Sequence, residues 1–264
     1  MTASHWEEFH RRWGRVKAPL RPNAEIVAAF EAAVAGHSGR VLLLGVTQEL
    51  ADIGRELVAV DRSQGMIDNV WPGNLTRRRA QLGDWLDLKF PRGHFTAVVG
   101  DGSLSTLPYP AGHRAFYAQL EHVLRPGGRF VARTFATPED GETIDAVIER
   151  TNAGRIANFH AFKWHLAMAL VSASGDANIP VVKIRDAFND NFPDRKALAA
   201  KTGWAIEDID TIDVYAGSPD VYSFATLSQL RETIPPSFKR VYVEAVGTYP
   251  LADRCPFLIA ELGT

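Results

Sequence analysis

The sequence predicts an α/β protein with a doubly wound, mostly parallel sheet. Two fully apolar runs, at positions 41–44 and 57–60, and a mainly apolar run at 95–99 support this prediction. A run that is apolar at every position fits a strand covered by helices on both faces. Helical stretches and short turns separate the runs, and such alternation of strands and helices is typical of a doubly wound sheet.

Residues 41–61 predict the first β-α-β unit. The first apolar run stops at Gly45, a short helical piece follows, and the second run ends at Asp61. Twelve residues separate the two runs, close to the minimum for a crossover. Ligands of such sheets lie beyond the carboxyl ends of the strands, so we expect Gly45 and Asp61 at a binding edge.

Residues 1–39 predict two helices that form an N-terminal helical cap. Trp6, Phe9 and Trp13 share one helix face with His10, and Asn23 is a suitable N-cap for a second helix over 24–35. The aromatic residues either pack in the core or form a lid over a ligand site, with Arg21 or His10 reaching in.

The remaining elements continue the alternation. Ser63 is a suitable cap for a third helix, and strands are predicted near 77–82, 95–99 and 129–135, with a helix over 112–124. Thr137 or Asp140 is expected to open a helix in an insertion at 137–205, which also contains a helix near 156–170. Residues 201–217 include a strand-like run, 226–233 a helix, and 240–246 and 257–260 two closing strands.

We therefore interpret the chain as a single domain, residues 1–264. It comprises the cap at 1–39, a cofactor-binding core at 40–136, a helical insertion on the expected substrate side at 137–205, and closing strands at 206–264.

Composition excludes several classes of function. The chain is 46% hydrophobic and 23% charged, with a formal net charge of −2, which argues against a nucleic-acid partner. No stretch approaches a membrane span and no signal peptide is evident, so we expect a cytoplasmic protein without a membrane partner. A single cysteine, Cys255, can form neither an internal disulfide nor a cysteine-based metal site.

The core resembles the class I S-adenosylmethionine-dependent methyltransferases. Five segments carry the resemblance in family order and spacing: VLLLGVTQEL, LVAVDRSQGMI, LGDW, FTAVVGDGSL and LRPGGRFVARTF. The resemblance implies a Rossmann-like sheet of seven strands, with the last strand antiparallel. It also implies S-adenosyl-L-methionine as the cofactor, bound across the ends of the first four strands.

The side chains at these strand ends suit the parts of that cofactor. Gly45 allows close approach of the backbone, and Asp61 can accept both ribose hydroxyls. Met66 and Trp85 could sandwich the adenine, while Asp84 accepts from its amino group and Asp101 lies at the amino-acid end. The resemblance assigns cofactor binding to Gly45, Val46, Thr47, Glu49, Asp61, Arg62, Met66, Gly83, Asp84, Trp85, Asp101, Gly102 and Ser103.

The loop after the first strand departs from the family pattern. Family members usually have Gly-x-Gly-x-Gly, whereas this chain keeps Gly45 and has Thr47 and Glu49 at the other two positions. Either these side chains bind the amino-acid part of the cofactor directly, or cofactor binding is weakened or lost. A pyrophosphate requires the second glycine more strictly, so a nicotinamide-dependent oxidoreductase is disfavoured.

The predicted function is methyl transfer to a small-molecule acceptor. The Asn-Pro-Pro-Tyr type motif of base methylation is absent after the fourth strand. No residue has a clear catalytic signature; the candidates are His160, either a general base or a partly buried helix residue, and Tyr109 as a pocket wall. His160, Lys163 and His165 lack metal-ligand spacing, so no metal is predicted. The alternative is an inactive methyltransferase-fold protein with a binding or regulatory role.

Overall fold

The computed structural model describes residues 4–264, apart from the side chains of residues 7 and 8. Its strands are β1 (Arg40–Leu44), β2 (Glu56–Asp61), β3 (Arg78–Leu82), β4 (Phe95–Asp101), β5 (Leu124–Arg133), β6 (Asn178–Pro180), β7 (Val221–Ser223), β8 (Phe238–Glu244) and β9 (Phe257–Leu262). Seven of them form one sheet in the order β3-β2-β1-β4-β5-β9-β8. The first five strands pair in parallel, and β9 is antiparallel to both of its neighbours. The predicted seven-stranded, mostly parallel sheet is confirmed.

Helices surround this sheet. They are α1 (Trp6–Phe9), α2 (Ala24–Val34), α3 (Gln64–Val70), α4 (Ala111–Val123), α5 (Ile144–Asn152), α6 (Phe159–Ser174), α7 (Val181–Asn191), α8 (Arg195–Thr202), α9 (Ile206–Ile209) and α10 (Leu227–Thr233). Short 3-10 helices cover His10–Arg15, Gln48–Leu50, Leu104–Thr106, Asp210–Tyr215 and Ala252–Arg254. No helix of the described residues is long and apolar enough to cross a membrane.

The central strand β1 is buried on both faces. Val41 and Leu43 belong to one hydrophobic cluster, and Leu42 and Leu44 belong to a second cluster on the opposite face. Strand order reverses at β1, which pairs in parallel with both β2 and β4. This reversal creates the switch point at which doubly wound folds bind ligands.

Local capping follows the sequence at several helices. Asn23 Oδ1 accepts from the backbone N–H of Ile26 at 3.0 Å, and Ser63 Oγ accepts from that of Met66 at 3.2 Å. Helix α5 is capped by Thr143, three residues after Asp140, so the expected caps Thr137 and Asp140 were wrong. The first helix also differs from the prediction, since α1 is short and continues as the 3-10 helix His10–Arg15.

Two other predictions of local structure were wrong. The crossover between β1 and β2 contains a 3-10 turn, Gln48–Leu50, in place of an α-helix. The strand-like run after residue 201 is helical, as α9 followed by the 3-10 helix Asp210–Tyr215. Its isoleucines recur every three residues, which matches a 3-10 repeat and buries Ile209 and Ile212 on one side. The small antiparallel sheet of β6 and β7 was not predicted.

Candidate active site

One cavity lies beyond the carboxyl ends of β1, β2 and β4, and it contains about 1140 Å³ of empty space including its mouth. All but one of the predicted cofactor-binding residues line it. These are Gly45, Val46, Thr47, Asp61, Arg62, Met66, Gly83, Asp84, Trp85, Asp101, Gly102 and Ser103. The remaining predicted residue, Glu49, is discussed below. The fold therefore brings together side chains that are up to 58 positions apart in the sequence.

Gly45, Asp61 and Trp85 meet at the end of β1. Gly45 has a φ of +85°, a conformation that favours glycine, and its N–H donates to Val60 O at 2.8 Å. A Cβ at this position would lie 3.7 Å from Asp61 Oδ2 and 3.8 Å from Trp85 Cζ2. The missing side chain thus leaves the backbone of β1 open to a ligand that also contacts Asp61 and Trp85.

The geometry of Asp61 and Trp85 is fixed by backbone groups. Asp61 Oδ1 accepts from the Ser63 N–H at 2.8 Å, and Trp85 Nε1 donates to Val60 O at 2.7 Å. Met66, in the first turn of α3, is buried against the same cavity. Asp84 is exposed, with Oδ1 accepting from the Leu86 N–H at 2.8 Å. These positions match the predicted ribose and adenine contacts, which stay predictions.

Asp101 forms a buried ion pair that the sequence did not predict. It is opposite Arg133 in the β4–β5 register, and Arg133 donates to it from Nε at 2.5 Å and from Nη2 at 2.9 Å. Burial raises the pKa of Asp101. Burial alone would lower the pKa of Arg133, but the Asp101 carboxylate more than offsets it and raises that pKa. An arginine directly after the apolar run 130–132, at the end of β5 and next to a strand-end aspartate on β4, was the available signal.

In the loop after β1, the two side chains that replace the family's glycines, Thr47 and Glu49, have different surroundings. Thr47 lines the cavity, whereas Glu49 accepts from Arg21 Nε at 2.5 Å. Arg21 also donates from Nη1 to Trp13 O at 3.2 Å, and its guanidinium lies 5.5 Å from the Trp13 ring centroid. Glu49 therefore ties the loop to the N-terminal cap. Its second oxygen, Oε2, is buried and has no hydrogen-bond partner among the described residues.

The N-terminal cap contributes aromatic rings to the lining of the cavity. Trp6, Phe9 and Trp13 all line it, which agrees with the lid interpretation of this segment. His5 anchors the segment to the rest of the chain, because its Nδ1 lies 2.7 Å from Asp220 Oδ2 and its Nε2 lies 2.7 Å from Tyr222 Oη. Arg21 contributes through Glu49, as described above, and it does not reach into the cavity as one interpretation expected.

The helical insertion and the segment after it also contribute to the lining of the cavity. Lys163 and Trp164 come from α6, Tyr215 and Tyr222 from the segment after the insertion, and Phe135, just after β5, lines the cavity as well. Lys163 is buried, and burial lowers the pKa of its amine to about 7. From the sequence, Lys163 was considered only as a metal ligand. A lysine between aromatic residues in the first half of α6 was the signal for this residue.

The two weak catalytic candidates lie outside the cavity lining. His160 is buried, with Nε2 3.1 Å from Arg15 O, and burial lowers its pKa to about 4. These surroundings fit the structural interpretation of His160 and give a base no access to the cavity. Tyr109 is bound through its backbone to Asn178, whose side chain accepts from its N–H and donates to its O, both at 2.8 Å.

The residues present fit S-adenosylmethionine. Its ammonium group needs acceptor oxygens, and one buried oxygen in the cavity lining, Ser103 Oγ, lacks a hydrogen-bond partner among residues 4–264. Glu49 Oε2 is also buried without a partner among these residues; it does not line the cavity, but the charge of Glu49 acts on Asp101, which does. Buried polar atoms are usually paired, so an unpaired oxygen at a cavity indicates a missing partner.

Comparison with known proteins gives the same family as the sequence motifs. Residues 45–132 match the model of the methyltransferase domain. The demethylmenaquinone methyltransferase of Mycolicibacterium gilvum (strain PYR-GCK) is 32% identical over 165 residues. That match covers 60% of this chain and 63% of the relative, so the chain aligns with slightly less than two thirds of the relative's length.

Solved structures resemble the chain over nearly its whole length. The DhpI-SAH complex has a TM-score of 0.56 and 13% identity, and covers 98% of this chain and 94% of that chain. A candidate Zn-dependent alcohol dehydrogenase of Rhodobacter sphaeroides has a TM-score of 0.54 and 13% identity, and covers 100% and 99%. At such identities the likeness shows the fold alone, and one fold supports many activities.

Proposed function

We propose that this chain is a class I S-adenosylmethionine-dependent methyltransferase that transfers the methyl group of S-adenosylmethionine to a small-molecule acceptor. The observation that carries the proposal is a single cavity with two chemically different sides. Polar strand-end residues form one side, and aromatic residues of the cap and the insertion form the other. A polar cofactor and an apolar acceptor could therefore lie next to each other in one enclosed space.

The cofactor side supports the proposal through its acceptor groups. Asp61 would take the ribose hydroxyls, and the ring of Trp85 with the thioether of Met66 would hold the adenine. Ser103 Oγ would accept from the ammonium group, and Glu49, whose charge acts on Asp101, would add negative charge near it. One solved structure of similar fold, the DhpI-SAH complex, contains a ligand of this class.

The acceptor side supports a small molecule. Trp6, Phe9 and Trp13 line the cavity together with Trp164, Tyr215 and Tyr222, and concave aromatic walls of this kind suit a small organic molecule. The name of the Mycolicibacterium gilvum relative, a demethylmenaquinone methyltransferase, also fits a small organic acceptor. A cytoplasmic location and the lack of a nucleic-acid or membrane partner stay predictions from the sequence.

The chemistry required of the protein is mainly alignment. The bound cofactor supplies an already activated methyl group. The walls hold the acceptor in line with it and exclude water, and such proximity and orientation are worth roughly 7–11 kcal/mol. A base is needed only where the acceptor must lose a proton.

Calorimetric titration tests the proposal. We expect saturable binding of S-adenosylmethionine and of its demethylated product, and no binding of a nicotinamide dinucleotide. If neither sulfur ligand binds, the proposed function is wrong. If both bind but no acceptor is methylated in a screen of small aromatic compounds, the inactive binding protein becomes the better interpretation.

A further inference from the structure

The acceptor side of the cavity contains a buried cation without an acidic partner. Lys163 lines the cavity, its side chain is almost fully buried, and no described carboxylate forms an ion pair with it. Its Nζ lies 4.9 Å from the ring centroid of Tyr215 and 5.4 Å from that of Trp164. Aromatic faces attract a cation, but they do not replace a counter-charge.

The groups around Lys163 add a further positive charge and leave its own charge uncompensated. Arg12, from the cap, is the cation that acts on it most strongly, and it lowers the pKa of the amine further after burial. His5 and His160 face it from the cap and from α6, and burial keeps both neutral by lowering the pKa of each. Tyr215, behind it, has a pKa raised by burial and is also neutral. Asp220 is hydrogen-bonded to His5.

An anionic ligand would supply the negative charge that Lys163 lacks. Burial of an unpaired charge is expensive, so at neutral pH the amine exists in both protonation states, and the charged state is favoured by a negative oxygen nearby. Because the amine is also neutral for part of the time, it can accept a proton from an acidic hydroxyl group.

The walls around Lys163 define the shape of the ligand. Trp13, from the cap, and Trp164, from α6, line the same cavity, and the ring centroid of Phe135, which also lines it, lies 5.3 Å from that of Trp164. The indole N–H groups of Trp13 and Trp164 are buried and have no acceptor within the described part of the chain. Flat aromatic walls favour a flat aromatic ligand, and unpaired N–H donors favour oxygen atoms on it.

We propose that Lys163 is the catalytic base for a planar aromatic acceptor that carries an acidic hydroxyl group. In the step assigned to it, the O–H bond of the acceptor breaks and an N–H bond forms at Nζ. The oxygen keeps the electron pair as an anion beside the new ammonium group. The assignment of a catalytic role rests on the proposed methyl transfer, whereas the binding of an ionised phenol does not.

The test uses 4-nitrophenol, whose phenolate form absorbs visible light, and nitrobenzene, which lacks the hydroxyl group. Both are titrated into the full chain with and without the demethylated cofactor product, at a pH where free 4-nitrophenol is mostly neutral. We expect the bound phenol to ionise, with its pKa lowered by about one unit or more. Lys163→Met, which keeps a stem of similar length, should abolish this shift and weaken 4-nitrophenol binding by about tenfold or more.

Controls separate the possible outcomes. Nitrobenzene should bind equally to both proteins, and Lys89→Met, at an exposed surface lysine, should behave like the wild type. Unchanged binding of the demethylated product to Lys163→Met shows that the variant is folded. If wild-type protein binds 4-nitrophenol without ionising it, the inference is wrong, even where the sulfur ligands bind. If the phenol ionises but the sulfur ligands do not bind, the anion site stands and the proposed methyl transfer fails.

Discussion

At the level of single residues, Asp61 gives the most direct test of the cofactor side. Asp61→Ala should weaken binding of S-adenosylmethionine by roughly 1.5–3 kcal/mol, about 10- to 150-fold, because hydrogen bonds to a charged group are lost. Calorimetry measures the change. Asp68→Ala, on the exposed side of α3, is the matched control. An affinity unchanged by Asp61→Ala would mean that the ribose binds elsewhere.

Arg133 tests how much the buried ion pair with Asp101 stabilises the fold next to the cavity. Its guanidinium and the Asp101 carboxylate are both buried, so Arg133→Met leaves an unpaired charge and should lower the free energy of unfolding by about 3–5 kcal/mol. Arg40→Met, which removes an exposed pair with Glu56, should cost about 0–1 kcal/mol. Urea denaturation measures both.

A double variant tests whether the unpaired charge of Asp101 causes the loss of stability in Arg133→Met. Combining Arg133→Met with Asp101→Asn removes the unpaired charge and should recover part of the lost stability. A loss below about 1 kcal/mol in the single variant would contradict the buried-pair argument.

Residue by residue, the sequence predicted one side of the cavity better than the other. Asp61, Asp84 and Asp101 could be found because strand ends of a parallel sheet converge, so local sequence is sufficient to locate them. Lys163 and Arg133 could not be assigned, because their roles depend on which distant element packs against α6 and β5. Glu49 shows a third case, in which the side chain was noticed but its partner, Arg21, lies in another segment.

At the level of elements, the ion pair between Glu49 and Arg21 should control the closure of the N-terminal cap. Both side chains are partly buried, so Arg21→Met should remove about 1 kcal/mol of local stability and make opening roughly fivefold more frequent. Hydrogen exchange measured by mass spectrometry should then increase over residues 4–22 and stay constant in β4. Glu56→Gln, at an exposed pair on β2, is the control.

The outcome of that experiment decides between the two interpretations of the aromatic cap. If exchange over residues 4–22 does not change in Arg21→Met, the cap is held by its aromatic packing and by His5, and it acts as part of the core. Increased exchange that the demethylated cofactor product suppresses would support a lid, because a ligand that binds the closed state stabilises it.

At this level, the periodicity of apolar residues predicts some elements correctly and fails for others. Apolar runs predicted β1, β2 and β4 because burial on both faces needs a fully apolar strand. The run at 206–215 combines isoleucines at every third residue with alternating acids, so it fits a 3-10 helix as well as a strand. Strands β6 and β7 have three residues each and depend on contacts between positions more than 40 apart, which local sequence cannot reveal.

At the level of the whole molecule, a site built on a buried lysine should reduce the stability of the protein without ligand. Lys163→Met removes a buried charge that lacks a partner, so we expect the free energy of unfolding at pH 7 to increase by about 1–4 kcal/mol. Chemical denaturation in the absence of ligands measures the change. A less stable Lys163→Met would mean that an unrecognised group already pairs with the amine.

The pH dependence of this difference follows from the pKa of Lys163. Burial lowers it to about 7 in the folded chain, against about 10.4 when unfolded, so the unfolded state binds more protons between these values. The wild type should therefore gain stability as pH rises from 7, and its difference from Lys163→Met should shrink. Burial raises the pKa of Cys255 to about 12, so this group makes the free energy of unfolding fall as pH rises at high pH. Because Cys255 is present in both proteins, its contribution cancels in the difference.

A pH-independent difference would show that the amine has the same pKa in the folded and unfolded chains, so that it is charged and already paired or solvated in the folded chain. The amine would then have no uncompensated charge to offer an anionic acceptor.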